Sequence, residues 1–583
     1  LFSLFFCLFR TGITAATLPR FGHSPIFFFF FFLFFFFAFF FFFFFFFFSL
    51  KIIYIYIYQN NCPVLNNTGY FEQLKKKITE KHIEKRVMSA VNVAPELINA
   101  DNTITYDAIV IGAGVIGPCV ATGLARKGKK VLIVERDWAM PDRIVGELMQ
   151  PGGVRALRSL GMIQSINNIE AYPVTGYTVF FNGEQVDIAY PYKADIPKVE
   201  KLKDLVKDGN DKVLEDSTIH IKDYEDDERE RGVAFVHGRF LNNLRNITAQ
   251  EPNVTRVQGN CIEILKDEKN EVVGAKVDID GRGKVEFKAH LTFICDGIFS
   301  RFRKELHPDH VPTVGSSFVG MSLFNAKNPA PMHGHVILGS DHMPILVYQI
   351  SPEETRILCA YNSPKVPADI KSWMIKDVQP FIPKSLRPSF DEAVSQGKFR
   401  AMPNSYLPAR QNDVTGMCVI GDALNMRHPL TGGGMTVGLH DVVLLIKKIG
   451  DLDFSDREKV LDELLDYHFE RKSYDSVINV LSVALYSLFA ADSDNLKALQ
   501  KGCFKYFQRG GDCVNKPVEF LSGVLPKPLQ LTRVFFAVAF YTIYLNMEER
   551  GFLGLPMALL EGIMILITAI RVFTPFLFGE LIG

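Results

Sequence analysis

Three glycines near residue 112 have the spacing of a dinucleotide-binding turn. Gly112, Gly114 and Gly117 form a GxGxxG pattern directly after the apolar run 106–111, and Glu135 ends the next apolar run. The first glycine permits a tight turn, the second lets a pyrophosphate approach the backbone, and the third lets a helix pack closely on a strand. The helix N-terminus offers amide donors and a favourable dipole, and the acid accepts hydrogen bonds from ribose hydroxyls. The pattern predicts a dinucleotide cofactor, either NAD or FAD.

Two later strand ends favour FAD. Residues 294–297 read ICDG and residues 419–423 read VIGDA, so each apolar run ends near an acid, Asp296 or Asp422. A glycine-rich turn follows at 432–435. In this order the motifs resemble those of two-domain flavoprotein hydroxylases, in which the second acid hydrogen-bonds the ribityl chain of FAD. The resemblance implies that the turn opens a helix whose N-terminus stabilises negative charge on the reduced flavin.

The segments around these motifs predict the elements that must position them. A strand at 106–111, a helix at 118–127 and a strand at 131–134 form a βαβ unit. Short β-rich runs broken by Pro and Gly, at 318–325, 335–339 and 345–350, predict an antiparallel sheet in a second domain. Helical spacing begins at 453 and no strand signal returns.

The predicted fold class is therefore α/β, in three parts. A Rossmann-like FAD-binding domain takes residues 105–171, 233–312 and 413–450. A substrate-binding domain with an antiparallel sheet takes 172–232 and 313–412, and a helical membrane-associated region takes 451–583. Residues 195–232 carry dense charge of both signs, which predicts a solvated insertion, helical in part or disordered.

The first 87 residues have an unusual composition. Residues 27–48 are almost pure phenylalanine and 51–58 read KIIYIYIY, which is what A/T-only DNA yields when translated. We interpret 1–87 as translated upstream sequence, expect the functional protein to begin at Met88, and expect 88–104 to be a short tail. The alternative is a membrane anchor, since 26–50 exceeds the roughly 20 apolar residues that cross a bilayer.

Two apolar runs close to the C-terminus predict membrane association. They occupy 534–545 and 552–570 and flank a charged turn at 547–550. The first is too short to span a bilayer alone, and Glu561 interrupts the second, where a charge costs about 2.5 kcal/mol or more at the bilayer centre. A hairpin lying in one leaflet is expected. The alternative is a pair of buried core helices.

Composition excludes other classes of protein. Lys plus Arg (64) equals Asp plus Glu (64), so there is no basic excess for nucleic-acid binding. The nine cysteines form no CxxC and no cluster with histidine, so we expect neither a metal site nor a disulfide framework.

Longer stretches of sequence resemble a particular family. Residues 143–147 (RIVGE), 150–153 (QPGG) and 425–435 (NMRHPLTGGGM) are similar to squalene epoxidases of fungi, and the resemblance extends over everything from Met88 onward. It implies FAD-dependent monooxygenation of squalene to (S)-2,3-epoxysqualene in sterol (ergosterol) biosynthesis. The implied partners are O₂, membrane lipid, and NADPH-cytochrome P450 reductase as the route for electrons from NADPH. The implied location is the endoplasmic reticulum membrane, with the catalytic domain facing the cytosol, or lipid droplets.

The resemblance also implies roles for particular residues. Tyr177 and Gln150 would line the catalytic pocket and hydrogen-bond to each other. A tyrosine after a glycine is otherwise a common packed strand residue, and Arg239 could equally lie on the surface of a helix. The residues expected to contact FAD are Gly112, Gly114, Val115, Ile116, Gly117, Glu135, Arg136, Arg143, Arg239, Asp296, Asp422, Gly433, Gly434 and Met435.

Three rival functions share the glycine motif. Another flavoenzyme of polyprenyl substrates would not require the QPGG and NMRHPLTGGGM sequences. A prenyl-lipid carrier would not need Glu135, Asp422 or the glycine-rich turn. A soluble NAD-linked dehydrogenase would need neither the later acid motif nor the apolar C-terminal runs.

Overall fold

The computed structural model describes residues 103–199, 202, 205, 228–525 and 527–582. The segment 1–87, nearly all of the predicted tail 88–104 and most of the charged insertion 195–232 lie outside the described residues.

The first half of the described chain begins as the βαβ pattern predicts. Strand β1 starts at Thr103, inside the segment predicted to be a tail, because the β-branched run TIT extends the strand backwards. The elements up to residue 306 are β1 (Thr103–Ile111), α1 (Ile116–Arg126), β2 (Val131–Glu135), β3 (Leu148–Met149), α2 (Pro151–Ser159), β4 (Tyr172–Val174), β5 (Gly176–Phe181), β6 (Glu184–Ala189), β7 (Gly232–Ala234), α3 (His237–Ala249), β8 (Val254–Gln258), β9 (Asn260–Lys266), β10 (Val272–Ile279), β11 (Gly283–Ile294) and α4 (Arg301–Leu306).

The second half of the described chain contains six more strands, interrupted by two α-helices after β15, and only helices from α7 onward. Its elements are β12 (Thr313–Phe324), β13 (His333–Leu338), β14 (Ile345–Gln349), β15 (Glu354–Tyr361), α5 (Ile370–Trp373), α6 (Arg387–Gln396), β16 (Arg400–Tyr406), β17 (Met417–Val419), α7 (Gly434–Ile449), α8 (Arg457–Ala490), α9 (Asp494–Gln508), α10 (Asp512–Ser522), α11 (Pro528–Arg550) and α12 (Leu555–Ile582).

The first sheet holds the cofactor motifs. Its strand order is β8-β2-β1-β11-β10-β9, and β17 pairs with the last residues of β11. Strands β8, β2, β1, β11 and β17 are mutually parallel, so the segments after β1, β11 and β17 emerge at one edge. In open α/β sheets ligands bind at that carboxyl edge.

The second sheet has the order β16-β12-β15-β14-β13-β5-β6. Its pairs are antiparallel, as predicted, except for β13 and β5, which are parallel. A third, three-stranded sheet, β3-β7-β4, joins the segment after the first βαβ unit to the start of α3.

The C-terminal helices extend beyond the apolar runs of the sequence. The first apolar run lies within the longer helix α11, which has 23 residues and is long and apolar enough to cross a membrane, although the run alone is too short. Glu561 on α12 is ion-paired with Arg550, and its Oε2 also accepts a hydrogen bond from Asn546 at 2.9 Å, so its charge is compensated. Among the described residues α8, α11 and α12 are long and apolar enough to cross a membrane.

The three helices differ in how much of their apolar surface is buried inside the protein. The apolar window of α8 is 67% buried inside the protein, against 33% for α11 and 22% for α12. Phe552 and Leu553 in the turn and Leu560 on α12 are exposed. Helices α11 and α12 are therefore not the core helices of the alternative reading, and their apolar surface suits a membrane.

Candidate functional site

The glycine loop after β1 leaves space for a ligand. Gly112 has φ +99°, and a side chain there would meet the carbonyl oxygen of Cys295 at 2.6 Å. A Cβ on Gly117 would lie 1.9 Å from the carbonyl oxygen of Gly112. At Gly114, by contrast, no described atom lies within 4 Å of the Cβ position. The first turn of α1 has no side-chain cap among the described residues, so its amides can donate to a pyrophosphate.

Glu135 is oriented by the same loop. Its Oε2 accepts a hydrogen bond from the amide of Ala113 at 2.7 Å, which leaves lone pairs for ribose hydroxyls. Arg245 on α3 lies 3.9 Å from this carboxylate and donates from Nε to the Ala113 carbonyl at 2.9 Å. Arg245, which the sequence analysis missed, therefore holds both the loop and the acid. Arg136, next in the chain, is exposed.

Asp296 carries an unsatisfied oxygen. Its Oδ2 accepts a hydrogen bond from the amide of Arg301 at 3.2 Å, while Oδ1 is buried and has no partner in the described part of the chain. A buried acceptor without a donor costs about 1–3 kcal/mol, so this atom suits a hydroxyl of a bound cofactor.

Asp422 follows β17 and faces a cavity. Its side chain is open to the cavity, but the surrounding protein atoms desolvate the carboxyl group and raise its pKa, and the positive charges of Arg427, Arg143 and Arg303 oppose that rise. Arg303 is buried and donates from Nη1 to the carbonyls of Asp422 (3.3 Å) and Ala423 (3.1 Å). It also donates from Nη2 to the carbonyl of Ile298 at 2.9 Å. One arginine thus ties together the segments that follow β11 and β17.

The glycine-rich turn leads directly into α7, as predicted. A Cβ on Gly433 would lie 2.4 Å from Ile478, whereas no described atom lies within 4 Å of the Cβ position of Gly434. Helix α7 begins at Gly434 without a side-chain cap among the described residues. Arg427 donates from Nη1 to the Gly434 carbonyl at 3.3 Å. Gly434 and Met435 line the same cavity as Asp422.

The two other predicted arginines differ in their surroundings. Arg143 is exposed, and its charge acts on Asp422 and on His237. Arg239 forms an ion pair with the Glu170 carboxylate, and its side chain is 42% exposed. It does not line the cavity beside Asp422. Arg143 therefore lies near Asp422, where the flavin is predicted to bind, whereas Arg239 pairs with Glu170 outside the cavity.

The cavity lies between the cofactor motifs and the second sheet, and it encloses about 190 Å³. Most of its wall is apolar, and β5, β13, β14 and β15 supply one side of it. The residues that line it include Val145, Leu148, Tyr177, Val336, Leu346, Val347, Tyr348, Leu358, Met402, Met426, Pro429 and Leu430.

Gln150 and Tyr177 are hydrogen-bonded, in a network with a defined direction. The Gln150 Nε2 donates to the Tyr177 hydroxyl and to the carbonyl of Thr431, both at 2.5 Å. The Tyr190 hydroxyl donates to the Gln150 Oε1 at 2.5 Å. Because a carbonyl can only accept, the amide nitrogen must face Thr431, and the Tyr177 oxygen then accepts. Tyr177 therefore keeps its own proton, which it can donate to the oxygen of Tyr190 or to a group in the cavity that it lines.

Burial keeps this network neutral. It raises the pKa of Tyr177, and the hydrogen bonds that Tyr177 shares with Gln150 and Tyr190 only partly oppose this rise. Burial likewise raises the pKa of Tyr190. Both phenols stay protonated at neutral pH. Tyr190 was missed by the sequence analysis, since no local motif marks it.

A buried ion pair includes one residue of the cavity wall, Glu147. Glu147 accepts two hydrogen bonds from Arg356, Nε to Oε2 and Nη2 to Oε1, each 2.8 Å long. Arg356 also donates to Ser322 at 2.6 Å. The pair joins the turn before β3 to β15 of the second sheet. The sequence signal that could have revealed it was an arginine in the strand ETRILCAY, directly before the apolar run ILCAY.

The fold resembles that of FAD-dependent monooxygenases. p-Nitrophenol 4-monooxygenase PnpA of Pseudomonas putida superposes with a TM-score of 0.56 at 16% identity, over 74% of this chain and 98% of that structure. PqsL of Pseudomonas aeruginosa, described as a probable FAD-dependent monooxygenase, gives a TM-score of 0.51 at 18% identity, over 70% and 100%. At these identities the likeness concerns the fold.

Sequence relatives define the family. A family model described as squalene epoxidase matches residues 288–560. The squalene monooxygenase of Candida glabrata is 85% identical over 487 residues, which are 84% of this chain and 100% of the relative. That of Eremothecium gossypii is 65% identical, over 84% of this chain and 98% of the relative. The chain belongs to the squalene epoxidase family.

Proposed function

We propose that this chain is an FAD-dependent squalene monooxygenase. It inserts one atom of O₂ into squalene, as the names of its relatives indicate. The product is (S)-2,3-epoxysqualene for sterol biosynthesis, as the family resemblance of the sequence implies. The observation that carries this proposal is the cavity, which is largely apolar and also includes Asp422, Gly434 and Met435. A hydrocarbon and the reactive edge of a flavin can meet there. When bound, FAD supplies the activation of O₂.

The protein residues have separate tasks at this site. Gly114 and the free amides of α1 would hold the pyrophosphate, Glu135 the ribose, and Asp296 and Asp422 hydroxyls of the cofactor. The N-terminus of α7 would stabilise negative charge on the reduced ring. We expect the apolar wall to exclude water and orient the alkene, with the Tyr177 hydroxyl as the polar donor that faces it.

The remaining partners belong to the same proposal. The sequence contains a single strand-linked GxGxxG, which favours a separate NADPH-cytochrome P450 reductase as electron donor. The exposed apolar residues of α11 and α12 support contact with membrane lipid, at the endoplasmic reticulum or on lipid droplets, with the catalytic part facing the cytosol. Residues 1–87 are proposed to be dispensable.

The experiment that tests the proposal uses protein purified in detergent, as the full chain and as a chain beginning at Met88. The flavin absorption spectrum and conversion of squalene with reductase, NADPH and O₂ are measured on both. We expect bound FAD and 2,3-epoxysqualene, both lost in Asp422→Ala. Bound FAD without epoxide would move the substrate to another isoprenoid, and a folded, colourless protein would support a lipid carrier.

A further inference from the structure

Glu580, in the last described turns of α12, is a buried carboxylate held by residues of two other elements. It is 1% exposed. Its Oε2 accepts a hydrogen bond from Nδ2 of Asn479 on α8 at 3.0 Å, and its Oε1 accepts one from the hydroxyl of Tyr406 at the end of β16 at 3.2 Å. The Tyr406 ring also packs edge-on against Phe576 of α12. The end of α12 is therefore attached to both α8 and the second sheet.

From Asn479 the hydrogen bonds continue to the turn before α7. The same Nδ2 atom donates to Oδ1 of Asn425 at 3.0 Å, and that oxygen accepts a second bond from Nη2 of Arg427 at 2.7 Å. Arg427 in turn donates to the carbonyl of Gly434 and lines the cavity. Two amide side chains thus connect the carboxylate on α12 with the arginine beside the predicted flavin position.

Stability alone gives a weak reason for this arrangement. Asn425 also lies 3.5 Å from Nη2 of Arg471, which forms buried ion pairs with Asp441 and Asp475. Removing such charges from water is costly, and a protein with well-packed apolar residues in their place is often at least as stable as one with the buried ion pairs. Buried ionic groups can instead specify the position of the elements that they join.

The most exposed apolar residues of α12 lie towards its other end. Met557 and Leu560 are 53% and 61% exposed, and the preceding Phe552 and Leu553 are almost fully exposed. The helix has 28 residues and is therefore about 42 Å long at ~1.5 Å per residue. Through Asn479 and Asn425, α12 therefore connects an apolar surface with the turn at the cofactor site.

We propose that Glu580 is a positioning residue for FAD. Through Asn479 and Asn425 it holds Arg427 and the first turn of α7 in the geometry that binds the flavin. Cofactor affinity thereby depends on how α12 is seated, which links the membrane-facing helix to the flavin site. This inference rests on the proposed FAD-dependent function.

Glu580→Leu and Glu580→Gln, compared in the full-length protein, test this role. Leucine removes both hydrogen bonds, and we expect the Kd for FAD to rise about tenfold, with a shift in the absorption spectrum of bound flavin. Glutamine can still accept from Asn479 while its amide donates to Tyr406, so we expect a Kd within about twofold of the wild-type value. Glu561→Leu is the matched control, because that carboxylate lies on the same helix but pairs with Arg550. Its FAD affinity should not change.

A double variant checks the route. If the effect runs through Asn479, adding Asn479→Ala to Glu580→Leu should weaken FAD binding by much less than the product of the two single effects. A purely structural role would lower the melting temperature of the apoprotein and leave the flavin spectrum and the Kd for FAD unchanged, which would overturn the proposal.

If Glu580→Leu does not fold, Glu580→Asp is the second variant, because it withdraws the carboxylate by one methylene. Wild-type FAD affinity in Glu580→Asp would equally overturn the proposal. Wild-type protein without FAD would instead refute the proposed function.

Discussion

Replacing Tyr190 with phenylalanine tests the direction of the hydrogen bonds around Gln150. Tyr190 is fully buried and its hydroxyl is the donor to the Gln150 Oε1. Phenylalanine keeps the ring, so no large cavity forms, but a fully buried acceptor loses its donor. Such an unsatisfied group costs about 1–3 kcal/mol, and we expect the free energy of unfolding to fall by that amount.

The same change should slow the reaction. Without Tyr190 the Gln150 amide is held by Thr431 on one side only, so the Tyr177 hydroxyl is less well oriented towards the cavity. We expect kcat for squalene epoxidation to fall about tenfold, which corresponds to roughly 1.4 kcal/mol in the activation free energy. Steady-state assays with reductase, NADPH and O₂ give kcat, and urea unfolding gives the stability.

Tyr467→Phe is the matched control for this experiment. Tyr467 is also fully buried, but its hydroxyl has no hydrogen-bond partner among the described residues. Its loss should change neither kcat nor stability by more than a few tenths of a kcal/mol. If Tyr190→Phe were as active and as stable as this control, the inferred orientation of Gln150 would be wrong.

Two further predictions concern buried charge and pH. Arg356→Leu leaves the Glu147 carboxylate buried without its cation and should lower the free energy of unfolding by about 3–5 kcal/mol. The double variant Glu147→Leu, Arg356→Leu should recover most of the lost stability. Equal losses in the single and double variants, measured by urea unfolding, would contradict this. Burial lowers the pKa of His428 to about 3, so the folded state disfavours the protonated ring. The unfolded chain takes up a proton below its ordinary pKa of about 6.5, so this stability is complete above pH 6.5 and declines as the pH falls towards 3. His428→Asn should flatten the decline in urea unfolding between pH 7 and pH 5, and an unchanged slope would assign it to other groups.

The cofactor motifs were readable from the sequence because their signals are local. Gly117 is required by the carbonyl of Gly112, five residues earlier, and Gly112 by its positive φ as well as by Cys295 directly after the neighbouring strand β11, so the spacing of the glycines marks a mainly local requirement. The acids at 296 and 422 follow apolar runs, and parallel pairing of β1, β11 and β17 brings their ends together. The start of α7 at Gly434 was equally visible from the glycine-rich turn.

The residues that the sequence did not reveal contact partners that are far from them in the sequence. Arg245, Arg303, Arg356 and Tyr190 carry no motif, and each contacts its partner only after separate strands or helices have packed. The length of α11 was not revealed for a related reason. Hydropathy marked its apolar centre, whereas polar residues at both ends complete the helix.

The sequence by itself thus determined the fold class, the cofactor loop and the family, because close backbone approach and strand burial restrict residue types at fixed spacing. Only the tertiary structure decided how those parts are held. It oriented Gln150 between Tyr190 and Thr431, paired Arg239 with Glu170, and connected Glu580 to the turn before α7. Buried hydrogen bonds and ion pairs depend on distances between elements, and no local pattern records those distances.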